Sequence, residues 1–153
     1  LDKKNNNFTS KLNLMDLTYA DIELINADDL ALARKSIIGD EEVKRTHASM
    51  LVDSGALNLC INENLQAQLQ LPFIEKRVAL LANGHREEYN LVGPVVVKFK
   101  NRQTVCNALV LQGDNEPLFG AIPMEDMDVL LHPSRQELIV NPDHPYMAQM
   151  KLK

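Results

Sequence analysis

The stretch Ala48–Ala56, ASMLVDSGA, decides how the rest of the chain is read. Met50, Leu51 and Val52 form an apolar run that ends on one carboxylate, Asp53, and the chain then enters a Ser54-Gly55 turn. A second apolar stretch, ALNLCI at 56–61, follows at once. An acid at the end of a buried strand is costly unless it is paired, hydrogen-bonded or protonated. Turn chemistry alone accounts for Asp and Gly here, and so does a task that needs a carboxylate, so the flanking sequence has to decide.

The 153 residues fit one domain with a core large enough to need no metal or disulfide staple. A net charge of −5 argues against a nucleic-acid-binding surface and against an anionic membrane as partner. No apolar run is long enough to span a bilayer. Cys60 and Cys106 lie far apart with no CxxC spacing, which reads as two free, largely buried thiols in a reducing compartment, with one long-range disulfide as the lesser alternative. His47, His85, His132 and His144 show no metal-ligand spacing and read as surface or turn residues; neither metal nor cofactor is expected. The start, LDKKNNNFTSKLNL, lacks the apolar segment of a signal peptide, and the expected compartment is the cytoplasm.

Residues 1–14 read as a flexible extension, with Met15 as a conceivable native start, 15–145 as the folded domain and 146–153 as a tail. The segment MDLTYADIELIN reads as a strand with Leu17, Tyr19, Ile22 and Leu24 as its apolar members. ADDLALARKSIIGDEEVKR reads as a polar segment with a Gly39-Asp40 hairpin turn leading into the strand that ends at Asp53. Leu57, Leu59 and Ile61 alternate as a strand. Asn62 then stands where a helix N-cap belongs, before Leu65 and Leu69 on one helix face, with Pro72 as the stop. Residues 76–112 read as two strand pairs, turning at Asn83-Gly84-His85 and at KNRQ and divided by Gly93-Pro94, with Pro94 at a strand start or edge. A short helix opens near Pro123, and a final hairpin pairs Val129–Leu131 with Leu138–Val140. Glu125, Asp126 and Asp128 read as a solvated helix face, the early acids favourably near the N-terminal dipole.

A Ser/His/Asp hydrolase lacks its strand–GxSxG–helix elbow here, and one acid is a poor metal site. The chemistry left is a carboxyl pair sharing one proton, in which one member acts as acid while the other activates water. The chain supplies one such carboxylate. In an isologous twofold dimer, Asp53 would meet its own copy at the axis.

LVDSGA at 51–56 resembles the Asp-Ser/Thr-Gly-Ala signature of retropepsin-like aspartic proteases, and LFGAIP at 118–123 resembles the apolar-apolar-Gly element before the family's short helix. GAIPMEDMDVLLHPSRQELIVNPDHP further resembles small stand-alone bacterial members; the likeness covers about residues 16–145. It implies a mainly β, closed-barrel acid-protease fold with one or two short helices and a single Asp-Ser-Gly half-site. It implies an endopeptidase active as a homodimer on peptide or protein substrates, with no nucleic acid, membrane or cofactor. Asp53 would be the catalytic carboxylate, Ser54 and Gly55 would support the dyad, and Gly120 would pack beneath the active-site loop. Asn83, Gly84 and His85 would form the tip of a flap over the substrate. The tip is charged, unlike the glycine-rich apolar tips of viral relatives. A non-catalytic dimerisation or peptide-binding module of the same fold is the alternative.

Overall fold

Strand β1 spans Tyr19–Asn26 and opens a mainly β chain, of which the computed structural model describes residues 17–152. The expectations for residues 1–14 and Met15 lie outside the described residues. On β1 the inward residues are Ala20, Ile22 and Leu24, all buried, while Tyr19 points outward. Tyr19 is thus out of phase with Ile22 and Leu24, as a period of two requires.

Asn26 caps a helix that the sequence reading missed, α1 (Ala27–Arg34). Its side chain accepts from the Asp29 N–H at 3.0 Å and donates to the Leu69 carbonyl at 2.9 Å. Asp28 and Asp29 lie at the positive end and Arg34 in the last turn, so the dipole is matched at both ends. No residue of α1 is fully buried, which is why no apolar stripe announced it. Gly39-Asp40 is not a hairpin tip: Asp40–Glu42 forms one 3-10 turn before β2 (Arg45–Val52). β2 returns antiparallel to β1, from Ile25↔Arg45 to Tyr19↔Leu51.

After the Asp53 turn come β3 (Leu59–Asn62) and α2 (Glu63–Leu69). Leu57 lies outside the strand and is exposed. Asn62 caps α2 as the sequence suggested, accepting from the Leu65 N–H at 2.8 Å. β4 (Phe73–Leu80) then pairs with β5 (Arg86–Phe99), and β5 with β6 (Arg102–Leu111). The expected two strand pairs are therefore three strands, with Pro94 inside β5 rather than at its start. The register slips between Val92 and Val95, so a residue with no N–H falls where the ladder is already interrupted. On one side of the slip β5 pairs with β4, and on the other with β1.

The remaining elements are β7 (Leu118–Phe119), α3 (Ala121–Met127), β8 (Val129–Leu131) and β9 (Leu138–Val140). Pro123 is the third residue of α3, not the first, still within the turn whose N–H groups lack intrahelical partners. Among the described residues three α-helices replace the expected one or two.

Seven strands form one mixed sheet, ordered β1-β2-β7-β3-β6-β5-β4, and a second pairing of β1 with β5 brings the ladder back on itself. β4 is left as the outer strand. Inside, Ile22, Leu24, Met50, Leu59, Ile61, Val95, Val97 and Phe119 share one core with α2 and α3. A smaller cluster of Ile25, Val43 and Val96 lies with Leu30 and Ala33 of α1. β8 and β9 form a separate two-stranded sheet.

Candidate active site

Asp53 stands where two chain crossings converge. The two residues of β7 slot between β2 and β3, parallel to β2 and antiparallel to β3, so that Leu118 is opposite both Leu51 and Cys60. The Asp53 N–H continues this ladder to the Phe119 carbonyl at 3.0 Å. Its carbonyl accepts from the Ala56 N–H at 3.1 Å, which closes the turn. The side chain is half-buried: Oδ1 accepts the Gly55 N–H at 2.9 Å, and Oδ2 has no hydrogen-bond partner among the described residues. The first contact is an ordinary Asx turn.

Each flanking residue has a physical reason. A Cβ on Gly55 would lie 3.1 Å from Asp53 Oδ1, so glycine lets the backbone N–H reach the carboxylate. Gly120 sits under the loop: a Cβ there would fall 2.3 Å from the Asn58 carbonyl oxygen and 2.7 Å from that of Ala56. The next two N–H groups fasten the same loop, Ala121 to Ala56 at 2.8 Å and Ile122 to Leu57 at 2.9 Å. Ser54 is exposed and lines a cleft of about 370 Å³ with Ala121, Met124, Glu125, Val129, Leu130 and Leu131. Asp53, Ser54, Gly55 and Gly120 thus come together.

Asn83, Gly84 and His85 stand apart from them, at the end of the projecting β4–β5 hairpin. The loop Leu81–His85 is closed by Leu81 N–H to His85 O at 2.8 Å and Gly84 N–H to Leu81 O at 2.9 Å. Within this loop Gly84 takes a positive φ, +84°, and Asn83 does not. Asn83 instead accepts the His85 N–H on its side chain at 2.9 Å. Apolar Val78 and Leu80 of this hairpin are 62% and 71% exposed, so it carries unburied apolar surface beside its charged tip.

Cys60, on the strand opposite β7, is a buried free thiol. Burial, and then the negative charge of Asp53, push it up to about 11. Cys106 is also free and is pushed to about 12, by burial and then by Asp126. At these values both are inert thiols rather than nucleophiles. Among the described residues no group of His, Cys, Asp and Glu is arranged to hold a metal.

The expectation that Asp128 belongs to a solvated helix face is overturned. Asp128 follows α3 in the left-handed region, φ +53°, and its carboxylate is a hub. Oδ1 accepts from Asn141 Nδ2 at 3.0 Å; Oδ2 accepts the Gln149 N–H at 3.0 Å and faces His144 Nδ1 at 2.7 Å. Burial alone would raise this carboxyl, but the bonds from Asn141, Gln149 and His144, with the charge of His144, prevail and hold it at about 2. Arg102, whose side chain is 1% exposed, sits 4.0 Å from the same oxygen and donates to the His144 carbonyl. Asp126, by contrast, is exposed as expected, and its Oδ2 accepts from Thr104 Oγ1 at 2.5 Å. Sequence spacing gave no sign of this hub, because its members are brought together from β6, the end of α3 and the tail.

No family model matches the chain, and no curated protein does. No helix among the described residues is long and apolar enough to cross a membrane.

Proposed function

We propose that the chain is an aspartic endopeptidase of retropepsin-like fold, active as a homodimer in which Asp53 of each copy contributes half of the site. The observation that carries this reading is the carboxylate of Asp53: fixed by its own turn through Oδ1, half-exposed, with Oδ2 unspent. The insertion of β7 between β2 and β3, the room under the loop that only Gly120 allows, and the β1–β5 pairing that closes the ladder all support it.

Two such carboxyls at hydrogen-bonding distance share a proton. The ionised member takes a proton from water as that water attacks the scissile carbonyl, and the protonated member donates to the carbonyl oxygen. Collapse of the tetrahedral intermediate breaks the C–N bond as the departing nitrogen is protonated. The peptide lies extended across both copies, and the β4–β5 hairpin folds over it to exclude water. Coupled loss of two protons gives a bell-shaped rate profile on the acidic side.

The test is cleavage of a mixed peptide library between about pH 4 and 7, wild type against Asp53→Asn, both shown to be folded. Cleavage lost in Asp53→Asn is the expected outcome. A folded wild-type dimer that cleaves nothing would replace the enzyme with the peptide-binding module of the same fold.

A further inference from the structure

One row of residues crosses the whole large sheet on the face turned away from the main core. Its pairing runs from Tyr19 on β1 through Leu51, Leu118, Cys60, Leu109 and Leu91, on β2, β7, β3, β6 and β5. It ends at Glu75 on β4. Residues opposite each other in a ladder share a face, so these side chains stand side by side. Their sequence neighbours Ala20, Val52, Leu59, Ala108, Val92 and Phe119 take the other face and fill the core. An outward face ordinarily carries polar residues. Here Tyr19 is 47% exposed and Leu51, Leu109 and Leu118 are half-buried, so apolar surface meets solvent along the row.

Asp53 belongs to this face. It follows Leu51 by two residues, its N–H continues the β2–β7 ladder, and its charge acts on the Cys60 thiol. Two tyrosine–glutamate pairs frame the row. The Tyr19 hydroxyl hydrogen-bonds to Glu116, two residues before Leu118. Tyr89, two residues before Leu91, donates to Glu87 Oε2 at 2.8 Å and is close enough to Cys60 to interact with it electrostatically. Each ring offers a flat apolar surface with a carboxylate at its hydroxyl edge. A lysine or arginine suits both parts, its stem along the ring and its cation toward the carboxylate.

The charge of the surroundings points the same way. Within two residues of the row along each strand, the face carries Asp21, Asp53, Glu75 and Glu116, against Arg77 alone among the described residues. Arg77 is itself paired with Glu75 at 3.0 Å. An apolar row in an acidic frame complements an extended peptide with apolar residues between basic ones. Strands lie about 4.8 Å apart and an extended chain rises about 3.3 Å per residue, so the row from Tyr19 to Leu91 matches about seven residues.

We infer that the Tyr19–Glu116 pair selects a lysine or arginine side chain of an extended peptide whose apolar residues lie on the row from Leu51 to Leu109. This rests on the reading of Asp53 as a peptide-cleaving half-site and adds the class of substrate, a cationic apolar segment. Fluorescence anisotropy tests it on the full chain carrying Asp53→Asn, which leaves labelled peptides intact, with circular dichroism to confirm folding. The probes are peptides of about eight residues with a Leu-Val-Leu centre flanked by lysine, by glutamine or by glutamate. The lysine peptide is expected to bind about 10-fold tighter than the glutamine peptide, and the glutamate peptide more weakly than either. The difference is expected to shrink in salt near 1 M. Glu116→Gln, added to the same chain, is expected to cut the lysine preference to about 2-fold while the glutamine peptide binds as before. Tyr19→Ser is expected to do the same and serves if the Glu116 variant does not fold. Equal affinity for the three peptides, binding of none, or full lysine preference in the folded variants would overturn the inference. Library cleavage by wild type would then leave the half-site reading standing. Lysine preference lost in the variants, beside a wild type that cleaves nothing, would keep the selector and remove the enzyme.

Discussion

Gly120→Ala is the sharpest test of how the Asp53 turn is held. The backbone at Gly120 has φ −94°, a value alanine adopts freely, so no conformational strain enters. The cost is contact alone. The added methyl would lie 2.3 Å from the Asn58 carbonyl oxygen and 2.7 Å from that of Ala56, where ordinary contact begins near 3.4 Å. These atoms are backbone and cannot rotate aside. Relief requires the loop 56–58 to move by about 1 Å, at an overpacking cost of about 1–3 kcal/mol. The movement also stretches the Ala121-to-Ala56 and Ile122-to-Leu57 hydrogen bonds, about 1 kcal/mol for each one lost. A total near 3 kcal/mol corresponds to a fall in Tm of about 6–12 °C for a domain of this size. Gly84→Ala is the control: its φ of +84° carries a backbone cost of about 1 kcal/mol, with no atom within 4 Å to strike. Urea unfolding followed by circular dichroism measures both. Under the proposed function, displacing the turn by about 1 Å also lowers peptide cleavage by about 100-fold. A Gly120→Ala chain within about 0.5 kcal/mol of wild type would refute the argument, since that is the scatter of inconsequential surface changes.

Asn62→Ala removes the α2 cap and the Asn62 Nδ2 bond to the Asn115 carbonyl, and is expected to cost about 1–2 kcal/mol in the same unfolding assay. The Asp128 carboxyl lies below its ordinary unfolded value, about 3.9, so its contribution is complete above that pH and is lost as pH falls through about 2. The stability gap between wild type and Asp128→Asn is therefore expected to narrow on acidification through that window, as read by denaturant titrations at each pH. Cys60 and Cys106, at about 11 and 12, are expected to alkylate at pH 8 at least about 100-fold more slowly in the folded chain than in denaturant, by mass spectrometry. Asp53→Asn speeds Cys60 only modestly, because burial is the larger cause of its shift.

What could be read without coordinates was local. The Asn62 cap, the Leu65–Leu69 face and the β8–β9 pair depend on neighbours in sequence, and the structure has them where the sequence placed them. The turn at Asp53 was legible for the same reason. α1 was missed because the reading sought an apolar stripe, although Asn26, Asp28, Asp29 and Arg34 carried capping and dipole signals. Pro94 was misplaced because its tolerance depends on a register slip between two strands, which no single strand announces. Most hidden was Asp128, read as solvated since nothing within four residues pairs with it; its partners are Asn141, His144 and Gln149.

Under the proposed function, the two aspartates, set side by side, separate structure from chemistry. Each closes a regular element and each is fixed by hydrogen bonds. Asp128 spends both oxygens on this chain, one on Asn141 and the other on His144 and Gln149. Asp53 spends one, on a glycine two residues away. An acid kept for folding is expected to be saturated, because each charge-assisted bond adds stability and an unused buried lone pair costs it. Replacement by the isosteric amide, which keeps shape and removes charge, therefore has opposite consequences at the two sites. Asp128→Asn loses bonds to a charged acceptor and is expected to destabilise by about 1–3 kcal/mol with little effect on the chemistry of the folded fraction. Asp53→Asn is expected to unfold within about 0.5 kcal/mol of wild type, since its remaining carbonyl still accepts the Gly55 N–H, while peptide cleavage disappears. Equal destabilisation at both sites would make Asp53 a structural acid like Asp128, and the half-site reading would fall with it.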